Sequence, residues 1–171
     1  YVDITTGEFA ATEIEGEGDP PAVWQEVARL QPAELLVSPA LEAEARAWAL
    51  ERNDGLAQRI TVLDGWRWDE ETARQALLEQ FGVASLAAYG CEGLPAAIQS
   101  AGAIVQYLAQ TQRPALAQLS GLVTYSTRSF MTLDPATRRN LELTEGLRSR
   151  STKGSLLGVL DLTVSPMGAR L

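Results

Sequence analysis

The stretch ELLVSPALEAEARAWALERNDGLAQRITVL, Glu34 to Leu63, decides the fold class. Glu34 to Val37 is a short apolar run of strand length, and Arg59 to Leu63 is β-branched and predicts a buried strand. Between them, from about Leu41 to Glu51, lies an Ala-rich segment that predicts a helix. Strand, helix and strand in succession predict an α/β domain.

The flanking sequence extends the pattern in both directions. Pro21 to Leu30 predicts a short helix with Val23, Val27 and Leu30 on one face. Glu15 to Pro21 (EGEGDPP) is acidic and rich in Gly and Pro, and predicts a loop. Tyr1 to Ile14 predicts a β-hairpin: Tyr1, Ile4, Phe9 and Ile14 alternate roughly with polar positions, and Thr6-Gly7 supplies the turn. On the other side, Glu70 to Phe81 predicts a helix with Ala73, Leu77, Gln80 and Phe81 on one flank and Glu71, Gln75 and Leu78 on the other. Leu78 is therefore expected as an apolar side chain on an outward face. Pro95 to Thr111 predicts a long helix with a wide apolar stripe of Ala97, Ile98, Ala101, Ile104, Val105 and Leu108, and Gly102 within it permits close backbone approach. Arg113-Pro114 is expected to act as a hinge. Helices alternating with strands behind an opening hairpin predict a mixed sheet.

The last stretch, Met131 to Leu171, is MTLDPATRRNLELTEGLRSRSTKGSLLGVLDLTVSPMGARL. Asp134-Pro135 predicts a helix start, with Asp134 capping free amides and Pro135 in the first turn, where its missing N–H costs nothing. Arg148 to Gly154 is polar and basic and predicts an exposed loop. Ser155 is expected to cap a short apolar helix, Leu156 to Leu160, ended by Asp161, and Pro166 to open another that carries Met167 and Leu171 on one side. A helix so short is unstable without a partner. At the other end there is no initiator Met, and Tyr1-Val2-Asp3-Ile4 begins inside a strand. The chain is expected to be a piece of a larger protein.

At 171 residues, 46% hydrophobic and 21% charged, the composition is globular rather than disordered. Its apolar runs are far shorter than the ~20 residues a bilayer demands, and no segment has the layout of a secretory signal. The single cysteine, Cys91, excludes an internal disulfide, fits a reducing compartment and is expected to be a small buried side chain. Charge is uneven. Residues 1–112 hold 18 acidic residues against 6 arginines, a net −12, and the remainder hold 4 acidic against 8 basic, a net +4. An acidic first part is repelled by a polyanion; the basic second part can approach phosphate through Arg148, Arg150 and Lys153, or be a solvated loop.

The order LDxxTRRNLELTE then SLLxVLDxTxxPMGxRL resembles the junction between the connector and lever (core) domains of the bacterial MutS mismatch-repair family. YVDITTGEF, PAELLVS, ETARQALLEQFG and AAIQSAGAIVQYLAQTQ are similar to that family's connector domain, in the same order, so the resemblance covers nearly the whole chain. Ser165, where the family usually has Thr, is a mild departure. The resemblance implies a ribonuclease-H-like α/β connector with a mixed sheet and flanking helices over 1–112, and the truncated start of a mainly α-helical lever domain over 113–171. It also implies a further strand before Tyr1. The implied role is non-catalytic: coupling mismatch binding to ATP binding elsewhere in a cytoplasmic parent, and offering a docking surface to MutL. The implied docking residues are Glu71, Arg74, Gln75 and Leu78, and Arg138, Arg139 and Asn140 are implied to fix the domain junction. ATP and Mg²⁺, mismatched double-stranded DNA and a homodimeric state belong by resemblance to the parent protein, with no cofactor in this segment and no membrane partner.

Little in the chain can do chemistry. There is no histidine, which removes the commonest general base and most zinc sites. Ser151-Thr152-Lys153-Gly154-Ser155 lacks the glycine spacing and preceding buried strand of a phosphate loop. Two alternatives remain to be tested on structure. A ribonuclease-H-like, Mg²⁺-dependent nuclease would gather Asp3, Asp64 and Glu42 or Glu44. A small-molecule-binding α/β domain would have a deep pocket lined by Trp66 or Trp68, of which alternation predicts one inward and one exposed; Trp24 and Trp48 are expected in the core.

Overall fold

The structure, a computed structural model, describes residues 1–14, 22–52, 54–127, 135–165 and 168, with the backbone alone at Pro135, Ala136 and Arg138. The expected 15–21 loop, the Asp134 cap and the helix opened by Pro166 lie outside the described residues. Described residues form two compact units, Tyr1–Thr127 and Arg128–Leu171. No helix among them is long and apolar enough to cross a membrane.

The first unit is mixed α/β. Strands β1 (Val2–Asp3) and β2 (Glu8–Ala11) form the expected antiparallel hairpin, with Gly7 in the turn at φ +77°. Helix α1 (Ala22–Leu30) precedes β3 (Leu35–Val37), α2 (Glu42–Arg52) and β4 (Ile60–Val62). β3 and β4 pair in parallel, Leu35 opposite Ile60 and Val37 opposite Val62. Then come α3 (Glu70–Phe81), α4 (Pro95–Thr111), the single turn α5 (Arg113–Leu116) and β5 (Val123–Thr124). β5 joins β2 in parallel, so the strands make two small sheets, β1-β2-β5 and β3-β4.

Local chemistry sets the helix bounds. Asp69 caps α3 by accepting from the Thr72 amide at 3.0 Å, and Gly82 closes it in the left-handed conformation, φ +63°. Pro95 opens α4, whose first amides, Ala96 and Ala97, donate to Glu13 Oε2 at 2.9 and 3.3 Å. One long-range carboxylate thus satisfies donors that the helix itself leaves free.

Two cores form. One gathers Phe9, Ala73, Leu77, Leu86, Cys91 and Ile98 between the hairpin, α3 and α4; the other gathers Trp24, Val37, Ala45, Ala49, Leu56 and Ile60 beneath α1 and α2. The α3–α4 crossing is close: a Cβ on Gly102 would stand 2.5 Å from the Cα, Cβ and carbonyl oxygen of Ala73. Trp24 is buried and stacks on partly buried Trp48 at 5.0 Å, and its indole N–H donates to Glu44 at 2.7 Å. Val23, expected on the buried face of α1, is instead exposed; Trp24 sets the face that turns inward, because the larger side chain buries more apolar area.

The expected boundary at 112/113 falls inside the first unit. Leu119 and Leu122 are buried in the hairpin–α4 core, Gln80 Nε2 donates to the Leu116 carbonyl at 2.8 Å, and β5 pairs with β2, so 113–127 pack with what precedes them. The second unit has α6 (Pro135–Asn140) and α7 (Leu156–Leu160). Ser155 caps α7 as expected: its Oγ accepts from Gly158 N at 3.1 Å and donates to the Thr152 carbonyl at 2.7 Å. Leu156 and Leu157 amides donate to the Glu142 and Leu143 carbonyls, tying α7 to the segment after α6.

Candidate functional site

Helix α3 carries the expected docking residues, and the structure divides them. Its 3.6-residue turn places Glu71, Gln75 and Glu79 in one row and Glu70, Arg74 and Leu78 in the next. Glu71, Gln75 and Glu79 are exposed. Leu78 is partly buried and packs on the core beside Phe81 and Val83. It is therefore not the outward apolar side chain expected of it: the core meets α3 over a wide arc, from Ala73 and Leu77 round to Leu78 and Phe81. Arg74 donates to Glu92 at 2.7 Å and to Glu70 at 3.2 Å. Those two hydrogen bonds raise the guanidinium pKa, and Arg74 in turn holds the Glu92 carboxyl below the usual range.

The exposed row borders an open groove of 470 Å³ between α3 and α4. Asp69, Glu71 and Glu79 give it three carboxylates, with Thr72, Gln75 and Gln106 between them and no basic side chain. Gln75 Nε2 donates to Glu79 at 2.8 Å and fixes the row. Asp69 accepts from the Thr72 amide and hydroxyl, and the amide bond foremost lowers its pKa. Beneath the groove Gln106 Nε2 donates to the Arg67 carbonyl at 3.2 Å, which orients the amide, while Gln106 Oε1 is buried without a hydrogen bond among the described residues. Arg67 is only 7% exposed; its guanidinium stacks over Trp66 at 4.6 Å and donates to Gln110 at 2.8 Å. Trp66 is exposed and Trp68 partly buried, as alternation predicted. Asp69, Glu79 and Gln106 were not singled out in the sequence. Helical spacing from Gln75 points to Glu79, whereas nothing local points to Gln106, a residue of another helix.

The remaining candidates stay apart. Asp3 Oδ1 accepts from the Thr5 amide and hydroxyl at 2.8 and 2.6 Å, Glu42 pairs with Arg46, and Glu44 holds the Trp24 indole. Among the described residues no three His, Cys, Asp or Glu gather as a metal site. Cys91 is buried, and desolvation raises its thiol pKa. Arg139 and Asn140 are exposed on α6, the Arg138 side chain lies outside the described residues, and Arg148, Arg150 and Lys153 are exposed in their loop.

Residues 1–120 match the family described as MutS domain II. The chain is 42% identical to a DNA mismatch repair protein MutS of Symbiobacterium thermophilum over 170 residues, 99% of this chain and 19% of that protein. It is likewise 42% identical to DNA mismatch repair proteins MutS of Roseiflexus castenholzii and Halothermothrix orenii, covering 100% of this chain and 19% and 18% of theirs. The chain thus spans about a fifth of the length of the curated relatives it matches.

Proposed function

Because this chain belongs to the MutS family of DNA mismatch repair proteins, through its domain II, we propose that it is a non-catalytic internal segment that couples distant sites and docks MutL. The first unit is the connector, and the second the start of the lever domain. The antiparallel hairpin and the parallel β3–β4 pair, with helices between, support a ribonuclease-H-like arrangement for the connector. A segment that relays binding between sites must move as a body. The backbone approach of α3 to α4 at Ala73 and Gly102 and the Glu13 clamp on α4 favour that behaviour. Coupling of this kind transmits only a free-energy difference between arrangements, typically ~1–3 kcal/mol.

The observation that carries the docking role is the exposed Glu71–Gln75–Glu79 row above an acidic groove on this rigid pair. Polar, partly pre-ordered side chains suit a transient interface, and carboxylates keep the face off DNA. ATP, Mg²⁺, mismatched DNA and the homodimer contact are assigned to other parts of a cytoplasmic parent. Neither alternative draws support from the site: Asp3, Glu42 and Glu44 are each engaged with separate neighbours, and Trp66 and Trp68 stand outside the groove. The test is binding of purified 1–171 to MutL with a non-hydrolysable ATP analogue, beside a Gln75→Arg/Glu79→Arg double variant. Loss of binding in a variant of unchanged thermal stability supports the reading. Equal binding by both proteins, or none by the wild type, removes it.

A further inference from the structure

A second cavity, of 330 Å³, opens within the first unit where α1 and α2 end. Its walls combine Val27, Pro32 and Leu56 with Arg52, Asp54 and Arg59. Two guanidinium groups against one carboxylate leave one excess positive charge, in a part of the chain that is otherwise strongly acidic. Arg59 is held by backbone carbonyls alone among the described residues: Nη1 donates to Pro32 at 2.8 Å and Ala33 at 3.4 Å, Nη2 to Asp54 at 3.4 Å, and Nε to Gly55 at 3.3 Å. These bonds fix its orientation without neutralising its charge. Arg52 lies over the Trp48 ring at 5.0 Å and donates to Asp54 Oδ2 at 2.8 Å through Nε, so its two Nη groups bond nothing among the described residues. Partial desolvation raises the Asp54 carboxyl pKa, but the hydrogen bonds from Leu56 N and Arg52 outweigh it, and the group stays ionised.

We infer that this cavity binds a carboxylate carried on a short apolar stem, the carboxylate on the free face of Arg52 and the stem against Val27, Pro32 and Leu56. A guanidinium face with two parallel N–H groups matches a carboxylate in bidentate geometry. The single excess charge suits a monoanion, because a phosphate dianion would also meet Asp54 at close range. The volume lies near the lower end of the ~300–1,000 Å³ range of ligand pockets and accepts one small acid, or the free C-terminus or an acidic side chain of a peptide. Arg52 is the residue to change, since Arg59 also braces the turn before β4.

The experiment follows arginine Nε–Hε and backbone amide resonances of 1–171 during titration with sodium butyrate, with butyramide and sodium chloride as neutral and ionic controls. Saturable shifts at Arg52 and Leu56 with butyrate alone, weakened about tenfold in Arg52→Gln and less in Arg52→Lys, are expected. Unchanged resonances of Val37, Ala45 and Ala49, which share the core under α2, certify the fold of each variant, and Arg52→Lys keeps the test valid where Arg52→Gln is unstable. A short peptide ending Ala-Val with a free carboxylate, against its C-terminal amide, separates the sources: tighter binding than butyrate by the free acid assigns a peptide ligand, and equal or weaker binding a small acid. Shifts from butyrate that match those from butyramide or chloride, or that survive Arg52→Gln unaltered, overturn the assignment.

Discussion

Adding one methyl group at Gly102 tests the rigidity on which a coupling role depends. In Gly102→Ala the new Cβ would lie 2.5 Å from three atoms of Ala73, two of them backbone. Carbon atoms prefer ~3.5–4.0 Å, so the helices must part by about 1 Å or more at their crossing. Overpacking of this kind costs typically ~1–3 kcal/mol, and the contact with backbone places it at the upper end. Against it, Ala gains about 1 kcal/mol over Gly in helix propensity. The net expectation is a loss of about 2 kcal/mol, or about 4–8 °C in Tm for a chain of this size. Urea unfolding followed by circular dichroism measures it. Ala73→Gly removes one of the three contacted atoms, so the double variant should recover part of the loss, with a coupling energy of about 0.5–1 kcal/mol. An unchanged or raised stability for Gly102→Ala, the sign that propensity alone predicts, would refute the close crossing.

Three further changes probe other parts of the account. Ser155→Ala removes a buried side chain that bonds both Gly158 N and the Thr152 carbonyl, and should destabilise the second unit by about 1–2 kcal/mol, read as faster hydrogen exchange at Gly158. Glu13→Ala leaves the first amides of α4 unsatisfied and should cost about 1 kcal/mol, with exchange protection lost at Ala96 and Ala97 before the rest of the helix. Asp69 has a pKa below its ordinary value in the folded chain, so its contribution to stability is complete above the usual carboxylate range and is lost as pH falls through the lowered folded value. Asp69→Asn, which can still cap, should therefore flatten the acid limb of the stability profile while leaving neutral pH nearly unchanged; an unaltered acid limb contradicts the linkage.

Legibility in the sequence followed the range of the forces involved. Helices α3 and α4 were read to the residue because the spacing of their apolar side chains is a signal carried by neighbouring residues, although the Asp69 cap and the Gly82 stop that bound α3 were not singled out. The Ser155 cap and the Gly7 turn were legible for the same reason. Strand β5 carries no such mark: Val123 and Thr124 are a strand because β2 lies beside them, and this pairing helps draw 113–127 into the first unit. On α1, Trp24 is in the core as read, its ring stacked on Trp48, whereas Val23, which spacing also put inward, is exposed. The docking face was half legible. Glu71 and Gln75 stand outward as read, but a helical wheel with one buried flank cannot show a core that wraps as far as Leu78. Nor can it reveal that Gln106 of α4 completes the groove.

The most direct test of the docking role is site-specific photocrosslinking from α3 in the full-length parent protein, in the presence of MutL, mismatched DNA and ATP. A crosslinker replaces Gln75 in one protein and, as a control, the exposed Gln25 of α1 in another. Docking through α3 yields crosslinks to MutL from position 75, dependent on the mismatch, and none above background from position 25. Crosslinks from position 25 alone, or equal yields from both, would contradict it.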